Sequence, residues 1–294
     1  MIETRSHRIR CNGIELHVVT AGPESGRPVI LLHGFPDFWY GWRYQLDALA
    51  ARGLRLIIPD QRGYGLSDKP AEIAAYDITQ LSADIVHLMD AMGLPRASIV
   101  GHDFGGGIAW WFAANHPDRV DRLVVLNCPH FAVYRRAHLG LEQLARSWYV
   151  YALVVPRLSV AACKLHDFRA LRLLGPGGRA GGMRDEDVPA YREAWSQPGA
   201  VRGMLSWYRA MLPAMFRRFP HTKIAAPALL LWGKHDPFLA SAMARPSLEP
   251  CERGELLMFD DLTHWLHWDA PERINPLIGS WLTDGEPRTP TART

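Results

Sequence analysis

Three residues, in one order, define the chemistry this chain can do. Asp103 sits in the glycine turn Gly101-His102-Asp103-Phe104-Gly105, Asp236 stands just past a leucine-rich run in LLLWGKHDPFL, and His264 lies in DLTHWLHWDAPERI. A strand–turn–helix elbow of the form G-x-S-x-G exposes its central side chain because its neighbours are small. Here the central residue is a carboxylate. Asp also caps helices, but Gly101 and Gly105 on either side point to an exposed nucleophile. Nucleophile, acid and histidine follow in the chain order of one class of hydrolase triad.

A carboxylate is ionised at neutral pH and needs no base to attack, and a helix N-terminus favours that charge. At a saturated carbon a serine would form an ether, which a triad cannot hydrolyse. An aspartate forms an ester whose acyl carbon belongs to the protein, and water activated by His264, oriented by Asp236, can attack that carbon. His33-Gly34-Phe35-Pro36 follows a buried strand and can aim a backbone N–H at the elbow. The amides of Phe35 and Phe104 are the oxyanion-hole candidates. An epoxide leaving as alkoxide needs a proton donor, whereas a halide needs N–H donors. Phe104 offers no side-chain donor. Tyr149 in ARSWYVYALVVP and Tyr208 in LSWYRAML offer phenols, with Tyr151 a rival to Tyr149, while Trp148 and Trp207 are the indole alternatives. His264 and His267 have helical spacing for a metal pair, but no third ligand accompanies them, so no metal or cofactor is expected.

The elements that must position these residues alternate. Strand-like runs fall at Glu15–Thr20, Val29–Leu32, Arg55–Pro59, Ser98–Val100, Leu123–Leu126, Ala228–Trp232 and Leu256–Phe259, several of them continuously apolar. Helical patterns fill the gaps, as at Tyr40–Ala51, Ile78–Met92 and Gly106–Asn115. This is the signature of a parallel sheet covered on both faces, an α/β fold. Between about Pro129 and Pro220 the pattern is helical, rich in Arg, Leu, Trp and Tyr. It predicts a helical cap at 131–219 inserted between core segments 1–130 and 220–294. GPGGRAGG within it follows no strand and predicts a hinge or cap loop, not a nucleotide site. EPRTPTART predicts a frayed tail.

Composition removes other classes. The chain has 294 residues, 48% hydrophobic, ample for a large core. With 33 Lys and Arg against 30 Asp and Glu, nothing asks for nucleic acid. Arg135-Arg136 and Arg217-Arg218 read as solvated faces. Cys11, Cys128, Cys163 and Cys251 form no CxxC, as expected of reduced thiols in a cytoplasmic protein. MIETRSHRIR lacks an apolar signal region, and the apolar run Trp148–Val155 is too short to span a bilayer.

Taken together, HGFPDFWYGWRYQ, DQRGYGLSDKP, GHDFGGGIAW, WGKHDPFL and HWLHWDAPERIN fall in the order and approximate spacing of a known family. The chain resembles the soluble epoxide hydrolases of the α/β-hydrolase fold. The resemblance implies an eight-stranded, mostly parallel sheet and a cis peptide before Pro36. It implies Asp103 as nucleophile, Asp236 and His264 as the charge-relay pair, Phe35 and Phe104 as oxyanion-hole residues, and Tyr149 and Tyr208 as cap proton donors. Trp148, Trp207 and Pro36 are expected to line the substrate site, with a small hydrophobic epoxide as substrate. A homodimer is compatible with the reading but not required by it. The family commonly has Trp at Phe104 and often Gln at His267; His267 adds a second titratable group near the base, which leaves room for a shifted pH optimum. Haloalkane and haloacetate dehalogenases of the same fold are the rivals; the former usually carry Trp after the nucleophile, the latter Arg there and an acid at the position of Asn127. A non-catalytic binding protein is the rival from another class, and the intact Asp103, Asp236 and His264 speak against it.

Overall fold

In the computed structural model, residues 2–176, 183–214 and 223–285 are described. Eight strands form one sheet: β1 (Thr4–Cys11), β2 (Ile14–Ala21), β3 (Arg27–Leu32), β4 (Leu54–Pro59), β5 (Ala97–His102), β6 (Val120–Leu126), β7 (Ala228–Gly233) and β8 (Gly254–Phe259). Their order is β1-β2-β4-β3-β5-β6-β7-β8. β2 pairs antiparallel with β1 and β4, and every other pairing is parallel.

The continuous apolar runs have a simple cause. Side chains alternate across a strand, and both faces of this sheet are covered. Ile30 and Leu32 of β3 enter the core on one face with Leu230 and Trp232 of β7. Val29, Leu31, Leu229 and Leu231 enter the core on the other. Helices α1 (Arg43–Ala50) and α11 (Pro271–Asp284) cover the second face, and α2 (Ile78–Ala91) and α3 (Phe104–Asn115) cover the first. α10 (Leu266–Asp269) precedes α11.

β1 was not among the expected strands. It is an edge strand exposed along nearly its whole length, so TRSHRIRC shows no apolar face. The signal that could have revealed it is Asn12-Gly13, where both residues take positive φ (48° and 78°), as a two-residue hairpin turn requires.

Between β6 and β7 the chain is helical: α4 (Phe131–Ala137), α5 (Leu141–Arg146), α6 (Trp148–Leu153), α7 (Leu158–Leu174), α8 (Val188–Ser196) and α9 (Ala200–Ala214). α7 is interrupted by non-helical backbone at Leu165–Phe168. This layer joins the first core through Tyr191, Trp195, Trp207 and Tyr208. α9 docks by close backbone approach, since a Cβ on Gly203 would stand 2.6 Å from the Gly63 carbonyl oxygen. Most of GPGGRAGG, the pair Arg217-Arg218, the 219/220 boundary and the tail EPRTPTART lie outside the described residues. Among the described residues no helix is long and apolar enough to cross a membrane.

Candidate active site

Parallel pairing brings remote residues to one edge. Asp103 follows β5, Asn127 follows β6, Asp236 follows β7, and His264 lies in the segment after β8, all beyond the carboxyl ends of parallel strands. Open α/β sheets bind ligands at this edge. Asp103 itself occupies φ 52°, ψ −124°, a conformation unusual for a residue with a side chain. The turn closes only because its neighbours are glycines. A Cβ on Gly101 would stand 2.3 Å from the Gly105 carbonyl oxygen, and one on Gly105 2.2 Å from that of Leu32. The small neighbours are thus required by geometry.

The Phe35 N–H donates to Asp103 Oδ1 at 2.9 Å. Asp103 Oδ2 lies 3.4 Å from His264 Nε2, and His264 Nδ1 donates to Asp236 Oδ2 at 2.7 Å. Asp236 is held from every side: Oδ1 accepts from the amides of Phe238 and Leu239 at 2.7 and 2.9 Å, and Oδ2 also accepts from Asn127 Nδ2 at 2.7 Å. Burial opposes protonation of His264, yet the Asp236 and Asp103 carboxylates outweigh it and lift its pKa to about 10. Burial likewise opposes charge on Asp103, but the hydrogen bond and charge of His264, with His102 and the Phe35 amide, hold it below the usual carboxylate range. The resting pair is therefore imidazolium and carboxylate.

Asp103 opens into a cavity of ≈ 140 Å³ walled by the core and the helical layer. Tyr149 and Tyr208 line it too, with ring centroids 6.3 Å apart and a hydrogen bond between the phenols. Tyr208 packs edge-on against Phe35 and Phe104 at 5.0 and 4.7 Å. Burial pushes both phenols well above their ordinary pKa, and the Asp103 charge pushes the same way. Both are protonated donors at neutral pH.

The protein family described as alpha/beta hydrolase fold matches residues 27–271. The chain belongs to the α/β-hydrolase family. The AB hydrolase superfamily protein YfhM of Bacillus subtilis is 38% identical over 276 residues, covering 93% of this chain and 96% of that protein. Epoxide hydrolase 4 of Mus musculus is 36% identical over 286 residues, 94% of this chain and 79% of that one. A crystal structure of a Bacillus megaterium epoxide hydrolase with an inhibitor superposes with a TM-score of 0.86 at 29% identity, over 94% of this chain and 99% of that one.

In this α/β-hydrolase the structure separates residues that the sequence left together. Tyr151, the rival of Tyr149, is 43% exposed and bonds His138 Nε2 at 2.6 Å, away from the cavity. Trp148 was expected to line the site, but it is 69% exposed and stands outside the cavity lining. Successive residues point about 100° apart on a helix, so turning Tyr149 inward turns Trp148 out. Trp207 does line the cavity, but its indole N–H is committed to the Arg62 carbonyl at 2.9 Å. Neither tryptophan therefore presents an N–H to a halide at Asp103. Pro36 is not in the cavity wall. Its peptide bond to Phe35 is cis, and its carbonyl accepts from the Trp195 indole at 2.7 Å.

His267 is also corrected. Burial first, then the nearby charges of His102, His264 and Arg43, press its pKa well below the ordinary histidine value. It stays neutral through the physiological range and does not shift a pH optimum by titrating there. His102, unremarked within the elbow motif, is fully buried and donates from Nε2 to the His264 carbonyl at 2.9 Å, with burial pressing its pKa down to about 3. Asn127 was noted only for not being an acid, yet it ties Asp236 to the end of β7 through Gly233. A third phenol, Tyr134, lines the cavity but is hydrogen-bonded to Ser147. None of these partnerships has a local sequence signal.

Proposed function

We propose that this protein is an epoxide hydrolase that converts an epoxide and water to a vicinal diol through an ester on Asp103. One observation carries the reading: an elbow carboxylate faces two protonated phenols across a single cavity. The epoxide relatives support the same activity. Residues 131–219 act as the cap that supplies the phenols.

The proton balance closes. Asp103 Oδ1 is held by the Phe35 amide, so Oδ2 attacks the ring carbon and Oδ1 becomes the ester carbonyl oxygen. The C–O bond of the ring breaks as Tyr149 and Tyr208 deliver a proton to the departing oxygen, assistance typically worth roughly 10²–10⁴-fold. Esterification removes one of the two carboxylates that keep His264 protonated. His264 then yields its proton, which restores the phenol, and becomes the base. Water loses a proton to it and adds to the Asp103 acyl carbon. The oxyanion is met by the amides of Phe35 and Phe104, donors worth about 3–4 kcal/mol each when removed. Collapse breaks the bond from the acyl carbon to the diol oxygen, that oxygen takes the proton of the newly added hydroxyl, and the diol leaves with its new oxygen drawn from Asp103 while the imidazolium–carboxylate pair is regenerated.

The test is a single turnover with excess protein in heavy-oxygen water. The first diol should carry unlabelled oxygen at both carbons, because the entering oxygen comes from Asp103. Solvent label in that diol would mean direct water attack. A second expectation concerns the donors: Tyr149→Phe combined with Tyr208→Phe should lower epoxide opening by roughly 10²–10⁴-fold. Each single variant should lose less, since either phenol can still donate. If the double variant keeps full epoxide activity, or the protein releases halide from a haloalkane instead, a dehalogenase reading replaces this one.

A further inference from the structure

Three consecutive glycines open α3, and two have a steric reason. A Cβ on Gly105 would meet the Leu32 carbonyl oxygen at 2.2 Å, and one on Gly106 would meet Cys128 Cβ at 2.6 Å. Gly107 has none: the nearest atom to a Cβ there is Cys128 Sγ at 4.0 Å. Its φ is not in the left-handed region either. Glycine is among the least favourable residues in a helix interior, so neither packing nor backbone geometry accounts for it at this position.

The cavity does. Phe104, Gly107, Ile108, Trp111 and Ala114 all line it, and their spacing marks a single stripe of α3. The stripe runs about 15 Å along the helix at 1.5 Å per residue. α2 and α9 face it through Leu81 and Met211. Asp103 stands at one end, and Gly107 is one turn further along. The mostly apolar stretch of the cavity along this stripe forms a gallery, and the missing side chain of Gly107 leaves its wall open.

We propose that Gly107 is a specificity-determining residue, and that the gallery it opens takes the unbranched alkyl arm of a terminal epoxide whose ring sits at Asp103. This rests on the proposed hydrolase reading for the identity of the reacting end, and on the cavity alone for the arm. A larger side chain at 107 would enter the cavity beside the arm, while the Gly107 N–H that donates to the Asp103 carbonyl is kept.

Steady-state hydrolysis of epoxydecane and epoxypropane by wild type, Gly107→Ala and Gly107→Leu tests it. Gly107→Leu should lower kcat/KM for epoxydecane at least about tenfold more than for epoxypropane, since excluding a few methylenes from a pocket is worth this much. Gly107→Ala should fall between, with a Tm no lower than wild type. An equal loss on both substrates, or no change on either, would overturn the proposal. The change in tryptophan emission on adding decanediol gives a readout without turnover, because Trp110, Trp111 and Trp207 line the cavity and binding replaces the medium around them. If wild type hydrolyses neither epoxide yet binds decanediol, and Gly107→Leu abolishes the binding, the gallery stands and the epoxide hydrolase reading falls. If decanediol binds both equally, the gallery reading falls.

Discussion

His264→Gln should convert the protein from a catalyst into a stoichiometric reagent. Incubated with an epoxide, it should gain the mass of one substrate molecule and then stop, with steady-state turnover reduced by roughly 10²–10⁴-fold. The reason is a division of labour. Ring opening draws on the Asp103 carboxylate and the phenols; His264 assists only by favouring the charge on Asp103, which His102 and the Phe35 amide also favour, so the adduct should form more slowly but still form. Hydrolysis of the ester needs a base within reach of the acyl carbon, and His264 Nε2, 3.4 Å from Asp103 Oδ2, is in that place. Glutamine can still donate a hydrogen bond toward Asp236, which keeps its amide and Asn127 donors, so the loop should remain folded. Intact mass before and after substrate, with a melting curve, reads both effects. A variant that shows no adduct while turning over normally would remove His264 from the mechanism.

Asp103→Ser tests the other half-reaction and the reason for an acid at this position. Serine is the residue that elbows of this kind usually accept, so folding should survive. Turnover should fall by about 10⁴-fold or more, as loss of a covalent nucleophile does elsewhere. Any adduct that forms on the serine oxygen would be an ether and should persist, because it has no acyl carbon for water to attack. A second readout concerns His264. Its pKa of about 10 depends on two carboxylates set against burial. With Asp103 gone only Asp236 remains, so the imidazole should deprotonate at a lower pH in an NMR titration. In the wild type, a folded pKa above the unfolded value means that this ion pair stabilises the fold at neutral pH, and the contribution fades as pH rises toward 10. The serine variant, keeping only Asp236 as partner, should show a smaller loss of stability and show it at lower pH. An unchanged titration would show that Asp103 and His264 are not coupled as the 3.4 Å separation implies.

Much of the site was legible because its chemistry is written in residue types next to short structural signals. A leucine run before Asp236, a glycine turn around Asp103 and the HGFP turn each mark a strand end, and parallel strands with both faces buried leave the continuous apolar runs seen in β3, β5 and β7. The exposed edge strand β1 escaped because its first five residues are polar and exposed, with apolar contacts only at Ile9 and Cys11. The clamps escaped for a different reason. The bond from Trp207 to Arg62 spans 145 residues and the one from Trp195 to Pro36 spans 159, and no window of sequence contains both partners.

By itself, then, the amino-acid sequence pointed to the reaction type proposed here. An acid where a hydroxyl is usual forces ester chemistry at saturated carbon, whatever the surroundings, because that follows from bond types alone. It also determined the α/β alternation, since periodicity depends only on local spacing. Tertiary structure decided everything that depends on direction. Trp148, Tyr149 and Tyr151 lie within four positions on one short helix, and only packing of α6 against the core selects Tyr149 for the cavity and turns the other two toward solvent. The same holds for charge. His264 and His267 are alike in the chain, yet two carboxylates raise one to about 10 while burial without a carboxylate partner presses the other well below its ordinary value. Residue type sets what a side chain can do; its neighbours in space set its protonation and its aim.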